Sequence, residues 1–148
     1  MYQKILVAVD GSRPGRLALE EAIRLAREQG AKLRILHVVD EGLVVSPDVP
    51  SVNLSEVEPS LLADGKSLVE AAKSRAHAAG VETETVLLEE MGPRAGARIV
   101  EQARQWPADL IVCGTHGRRG IGRLLMGSNS EYVARHTPVP VLLLRAQD

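Results

Sequence analysis

The sequence predicts an α/β; doubly wound domain, a five-stranded parallel sheet with helices on both faces. Three observations predict it. Short, nearly unbroken runs of apolar and β-branched residues alternate with longer segments of helical period. Unbroken apolar runs suit strands covered on both faces, which parallel sheets provide and half-solvated antiparallel sheets do not. The 148 residues match one compact unit, and 45% hydrophobic with 25% charged residues is ordinary globular usage. A chain of that length buries roughly 68–70% of its unfolded surface without staples.

The first strand is Ile5 to Val9, which stops at Asp10-Gly11-Ser12. Ser12 has an N-cap side chain, and Pro14 suits a first helical turn, where amide donors are spare. Leu19, Ala22, Ile23 and Ala26 follow at helical spacing, and Gly30 ends that helix. Leu33 to Val38 is the second strand. Asp40 to about Asn53 holds Gly42, Pro47 and Pro50 and reads as a long functional loop or mobile flap. Ser55-Glu56-Val57-Glu58 reads as a capping box, opening a helix with Leu61, Leu68, Ala72, Ala76 and Ala79 on one face. After Gly80, Val81 to Leu88 is the third strand. Pro93 starts a shorter helix that turns Gly96, Ile99, Val100 and Ala103 inward. Leu110 to Cys113 is the fourth strand, a helix runs from about Ser128 to His136, and Val139 to Leu144 is the fifth strand.

Right-handed crossovers between such strands leave a doubly wound, Rossmann-like sheet of order 3-2-1-4-5 as the natural solution. Sheets of this kind bind ligands outside the carboxyl ends of their strands, at the switch point. Asp10 ends strand one and a glycine cluster follows strand four, so the site belongs between them.

Composition excludes several functions. Lys+Arg total 18 against Asp+Glu 19, a net charge of −1, which gives no global field for nucleic acid or an anionic membrane. Aromatic residues are 2% of the chain, too few for a base-stacking platform. Cys113 is the single cysteine. It can form no intramolecular disulfide or multi-cysteine metal site, and it suits a reducing cytosol. No signal-peptide pattern opens the sequence, and no apolar run approaches the roughly 20 residues of a membrane helix. A cytoplasmic protein without membrane insertion is expected.

The chemistry-bearing stretch is Gly114-Thr115-His116-Gly117-Arg118-Arg119-Gly120-Ile121-Gly122-Arg123-Leu124-Leu125-Met126-Gly127-Ser128-Asn129-Ser130. It leaves a strand, runs through glycines and enters a helix at Gly127-Ser128. Glycines let backbone amides approach phosphates, and a helix start adds unpaired amides at the positive end of its dipole. Ser128 and Ser130 add hydroxyls, while Arg118, Arg119 and Arg123 add positive charge with no acidic residue between Asp109 and Glu131. The other reading is a connector whose glycines merely turn the chain.

The spacing Gly114-x2-Gly117-x9-Gly127-Ser128 resembles the nucleotide signature of the universal stress protein family (UspA-like), in its ATP-binding branch. Lys4 to Ser12, Leu36-His37-Val38-Val39-Asp40, Ser130 to Val133 and Pro138 to Val141 share the likeness, which covers essentially the whole chain. The resemblance implies a five-stranded parallel sheet, a homodimer, a stress-response role, and ATP held, with Mg carried on its phosphates, without rapid hydrolysis. Position by position, it places Asp10 facing the nucleotide, Val38 reading the adenine edge through its backbone, and Ala8 lining the same pocket. Gly114, Gly117, Gly127 and Ser128 match ribose and phosphate contacts. Asn129 stands where the family often has Val, and its backbone amide serves in the same place. His116, Arg118, Arg119 and Ser130 are further candidates for phosphate contact.

Asp10 also suits a plain turn before Gly11. Gly65-Lys66-Ser67 imitates the end of a P-loop but lies inside a helical pattern, and Gly120-Ile121-Gly122 lacks the third glycine of a dinucleotide fingerprint. A receiver domain would need an acidic pair after strand one, an acceptor Asp after strand three and a Lys after strand five; this chain has Asp10, Glu89-Glu90 and Arg145. His37, His77, His116 and His136 lack metal-ligand spacing. No nucleophile–base–acid set is visible, so no catalytic residue is assigned and a non-catalytic or very slow ATP binder is expected. The rival class is a slow ATPase or nucleotide-transfer enzyme on the same site, and a third is an interaction module, with an unidentified protein partner, that has lost its nucleotide. An apolar fifth strand at residues 139–144 on a sheet edge invites a twofold partner, the rival reading being that the C-terminal tail or a helix covers it.

Overall fold

A computed structural model describes residues 1–40, 54–90, 94–116 and 126–147. The elements are β1 (Lys4–Ala8), α1 (Arg13–Gln29), β2 (Lys32–Asp40), α2 (Leu54–Ala78), β3 (Thr83–Glu90), α3 (Ala95–Gln105), β4 (Leu110–Gly114), α4 (Ser128–His136) and β5 (Val141–Leu144). The sheet order is β3-β2-β1-β4-β5, and every pairing is parallel. The predicted fold class and strand order are those observed.

Strand alternation explains the two layers. Ile5, Val7, Leu33, Ile35, Leu110 and Val112 face α1 and α2, packing on Ala18, Ala22, Ala72 and Ala76. Leu6, Leu36, Ile111 and Cys113 face α3 and α4, packing on Ile99, Val100, Ala103 and Val133. Gly15, Ala18, Ala22 and Ala26 make most of the buried stripe of α1, which lets that helix lie close on the sheet. Gly96, Ile99, Val100 and Ala103 are the buried residues of α3, as the pattern predicts. Burial of these aliphatic side chains, at about 25 cal/mol per Å² of apolar surface, is what holds the layers together.

The helix ends follow local chemistry. Ser12 caps α1 by accepting the Gly15 N–H, and Gly30 closes it with a left-handed φ of 64°. α2 begins at Leu54, one residue ahead of Ser55, so the predicted capping box does not start the helix. The Gly65-Lys66-Ser67 segment is mid-helix. Pro93 and residues 41–53 lie outside the described residues.

Two strands begin later than the sequence suggests. β3 starts at Thr83 because the Val81 N–H bonds back to the Ala76 carbonyl at 3.0 Å, finishing the α2 turn. It then runs on through Glu89 and Glu90, which pair in register with Val39 and Asp40. β5 starts at Val141, not Val139, because the Val139 N–H is held by the Thr137 hydroxyl at 3.1 Å. Pro140 has no N–H to give the sheet. Among the described residues no helix is long and apolar enough to cross a membrane.

Candidate functional site

β1 and β4 end side by side at the switch point, and the segments leaving them are stitched together. Asp10 Oδ1 accepts the Ser12 N–H at 2.9 Å and the Ser12 hydroxyl, an Asx-type turn. That hydroxyl accepts the Gly15 N–H at 3.1 Å and lies 3.4 Å from the His116 carbonyl oxygen. The Asp10 carboxylate therefore rests over the first turn of α1, where the positive end of the helix dipole favours its charge. Glycine at position 15 makes room, because a Cβ there would sit 2.5 Å from Asp10 Oδ1. Asp10 thus does turn work through one oxygen and keeps the other free of protein hydrogen bonds among the described residues.

Thr115 is the joint on the β4 side. Its carbonyl accepts the Gly127 N–H at 2.7 Å and the Ser130 hydroxyl at 2.7 Å, pinning the returning chain to the strand it left. Ser130 is buried, and the Gly127 carbonyl lies 3.0 Å from the same hydroxyl. Its single proton is committed inside the protein.

α4 opens without a side-chain cap. Gly127 is extended (φ −63°, ψ 153°), and the first backbone bond of the helix runs from the Glu131 N–H to the Gly127 carbonyl at 2.9 Å. The N–H groups of Ser128, Asn129 and Ser130 have no hydrogen-bond partner among the described residues. Spare donors at the positive end of a helix are an anion-binding arrangement. Ser128 is exposed beside them, its hydroxyl without a hydrogen-bond partner among the described residues. The Thr115 hydroxyl oxygen and His116 Nδ1 are buried in the same region with no hydrogen-bond partner, a cost a ligand would relieve.

The remaining predicted positions fall as follows. Ala8 and Val38 are half-buried on the α3/α4 face of adjacent strands. Gly114 ends β4 under α1, where its missing side chain admits Pro14. The Asn129 side chain points away from the α4 amides' own axis of use: its Oδ1 accepts the Gly96 N–H at 3.0 Å, at the start of α3. Gly117, Arg118 and Arg119 lie outside the described residues. An open cleft of about 530 Å³, lined by Arg94, Gly96, Ala97, Ser128, Asn129 and Tyr132, borders the site from the α3 side. It shares Ser128 and Asn129 with the predicted set but none of Ala8, Asp10 or Val38.

Burial, and secondarily the nearby Asp10 charge, push the Cys113 thiol up to about 12. It is a small apolar residue there, not a nucleophile.

Comparison with known proteins shows the family. The model of the universal stress protein family matches residues 1–145. The chain belongs to that family. Universal stress protein YxiE of Bacillus subtilis is 34% identical, covering 98% of this chain and 100% of its own. The structure of UspA from Lactobacillus plantarum superposes with a TM-score of 0.81 at 29% identity, covering 97% and 98% of the two chains. A universal stress protein crystallised in complex with cAMP superposes at 0.67 with 28% identity, covering 99% of each.

In this universal stress protein, sequence reasoning missed Thr115, Gly15 and Gly96. Thr115 acts through its carbonyl, which no residue type advertises. Gly15 and Gly96 do carry a signal, since glycine in a first helical turn is unfavourable unless something must come close.

Proposed function

We propose that this universal stress protein binds ATP, with Mg²⁺ carried on the phosphates, in the crevice between the carboxyl ends of β1 and β4. Occupancy of that crevice regulates a homodimer. The observation that carries the reading is the run of three uncapped amides at Ser128, Asn129 and Ser130, next to the orphaned Thr115 and His116 atoms. They fit a phosphate chain: donors without acceptors, at the positive end of a helix.

On this reading Ala8 and Val38 line the adenine side, Asp10 faces the nucleotide through its free oxygen, and Gly127 and Ser128 hold phosphate. Gly117, Arg118 and Arg119 complete the cradle from the glycine-rich stretch. Gly114 serves by admitting α1, and Ser130 by bracing Thr115. The Asn129 backbone amide joins the donors while its side chain holds α3. The sequence offers no nucleophile–base–acid set, and on this reading turnover is slow or nil. The half-buried aliphatic edge strand β5 pairs with its twofold copy, which removes an aggregation-prone edge.

The test is to denature freshly purified protein and identify the released small molecule by chromatography, followed by titration of the emptied chain. Released ATP and micromolar rebinding support the proposal. The cAMP-bound relative favours a second reading, an adenine monophosphate or cyclic ligand, which the same chromatogram distinguishes. Sedimentation across concentration tests the dimer, and a monomer at all concentrations would remove it.

A further inference from the structure

Among the described residues, the Asn129 side chain joins the first turn of α4 to a different helix. A backbone N–H only donates, so the atom facing Gly96 N at 3.0 Å is the amide oxygen of Asn129. α3 lacks a cap of its own: Arg94, at its N-cap position, makes no side-chain hydrogen bond to the helix. Asn129 supplies that cap from the neighbouring element. The contact is tight as well as polar. A Cβ at Gly96 would lie 2.9 Å from the Asn129 carbonyl oxygen and 2.9 Å from Tyr132 Cβ. α3 cannot slide along α4 at this point without breaking both.

We propose that Asn129 is a positioning residue that couples the ligand-binding turn of α4 to the first turn of α3. This rests on the nucleotide reading above. When phosphate draws in the amides of Ser128 and Asn129, the Asn129 side chain carries the change to Gly96. Two residues on, Arg98 donates its backbone N–H to the Arg94 carbonyl at 3.0 Å and its guanidinium lies 3.4 Å from the Glu90 carboxylate, so the line reaches the end of β3. The cleft between the two helices, lined on both sides by residues of this tie, changes shape with occupancy. That gives the ligand a readout on the outer surface.

The test is amide hydrogen exchange of the full chain, with and without saturating ATP, reading residues 95–99. In the native chain, ATP slows exchange there about fivefold, the size of one cap hydrogen bond tightened. Asn129→Leu exchanges faster at Gly96 without ligand, binds ATP several-fold more weakly, and at saturation gives no ATP response at 95–99. Asn129→Asp keeps the acceptor and restores that response, though its charge weakens ATP binding. ATP that binds the native chain while 95–99 do not respond overturns the coupling alone. An undiminished response in Asn129→Leu, or none in Asn129→Asp at saturation, overturns it too. ATP that fails to bind the native chain overturns the nucleotide reading and the coupling with it.

Discussion

Gly114 ends β4 directly beneath Pro14: a Cβ on Gly114 would lie 2.7 Å from Pro14 Cβ and 2.8 Å from its carbonyl carbon. The first glycine of the signature is thus required by the protein's own packing, before any ligand arrives. α1 must start close over β4 for Ser12 and Asp10 to meet the His116 side of the site.

Gly114→Ala therefore lowers the stability of the ligand-free chain by about 2 kcal/mol, the usual cost of an overpacked site. In a domain of this size that is a fall of ~4–8 °C in Tm. Urea and thermal denaturation without nucleotide check it. Unchanged stability would mean that α1 yields easily and that the glycine serves the ligand alone.

Ser128 and Ser130 have opposite roles, and single substitutions separate them. Ser128 is exposed with no protein partner, so Ser128→Ala leaves stability within about 0.5 kcal/mol, as for other surface changes. It weakens ATP binding about tenfold, the effect of losing one hydrogen bond to a charged group. Ser130 is buried with its proton on Thr115. Ser130→Ala costs about 1 kcal/mol of stability and loosens the joint. Calorimetric titration beside urea denaturation checks the pair; identical behaviour would void the assignment.

The fold was legible because its signals are local and redundant. Ile5 to Val9 reads as a buried strand from its own composition, and Ser12 with Gly30 brackets α1 by cap chemistry alone. The shifts came where a neighbour decided. Val81 is as β-prone as Thr83, yet the Ala76 carbonyl takes its N–H. Val139 is lost to the Thr137 hydroxyl. The site was legible as a region, since glycines and a helix start declare spare amides. The division of labour inside it was not. Asn129 and Ser130 look equally suited to phosphate on paper, and only the placement of Gly96 and Thr115 shows what their side chains hold.

The Cys113 thiol is raised from an ordinary 9.0 to about 12 in the folded chain, first by burial and then by Asp10. A raised pKa means that the folded state holds its proton longer than the unfolded state does. Stability from this group is then fully present below about pH 9 and is lost as pH climbs towards 12, at about 1.4 kcal/mol per pH unit. Comparing urea midpoints of the native chain and Cys113→Ala between pH 8 and 11 isolates it: the native chain declines more steeply. Folded protein also resists thiol reagents at pH 8 and becomes reactive on unfolding. Rapid labelling of the folded chain would show the thiol to be accessible and the burial argument wrong.

ATP at one hundred times its Kd stabilises a chain that binds it only when folded by about 2.7 kcal/mol. For a domain of this length the rise in Tm is ~5–11 °C. Main-chain donors cannot be deleted by substitution, so the decisive variant has to act through shape. Gly117→Val puts a branched side chain on a signature position whose bareness the phosphate reading needs. The expected melting of this variant without nucleotide stays within ~2 °C of the native chain. The ATP-dependent rise disappears. Scanning calorimetry of both chains, with and without nucleotide, reads both quantities at once. If Gly117→Val gains the full rise, the phosphates rest on the three α4 amides alone and the glycine-rich stretch is a connector.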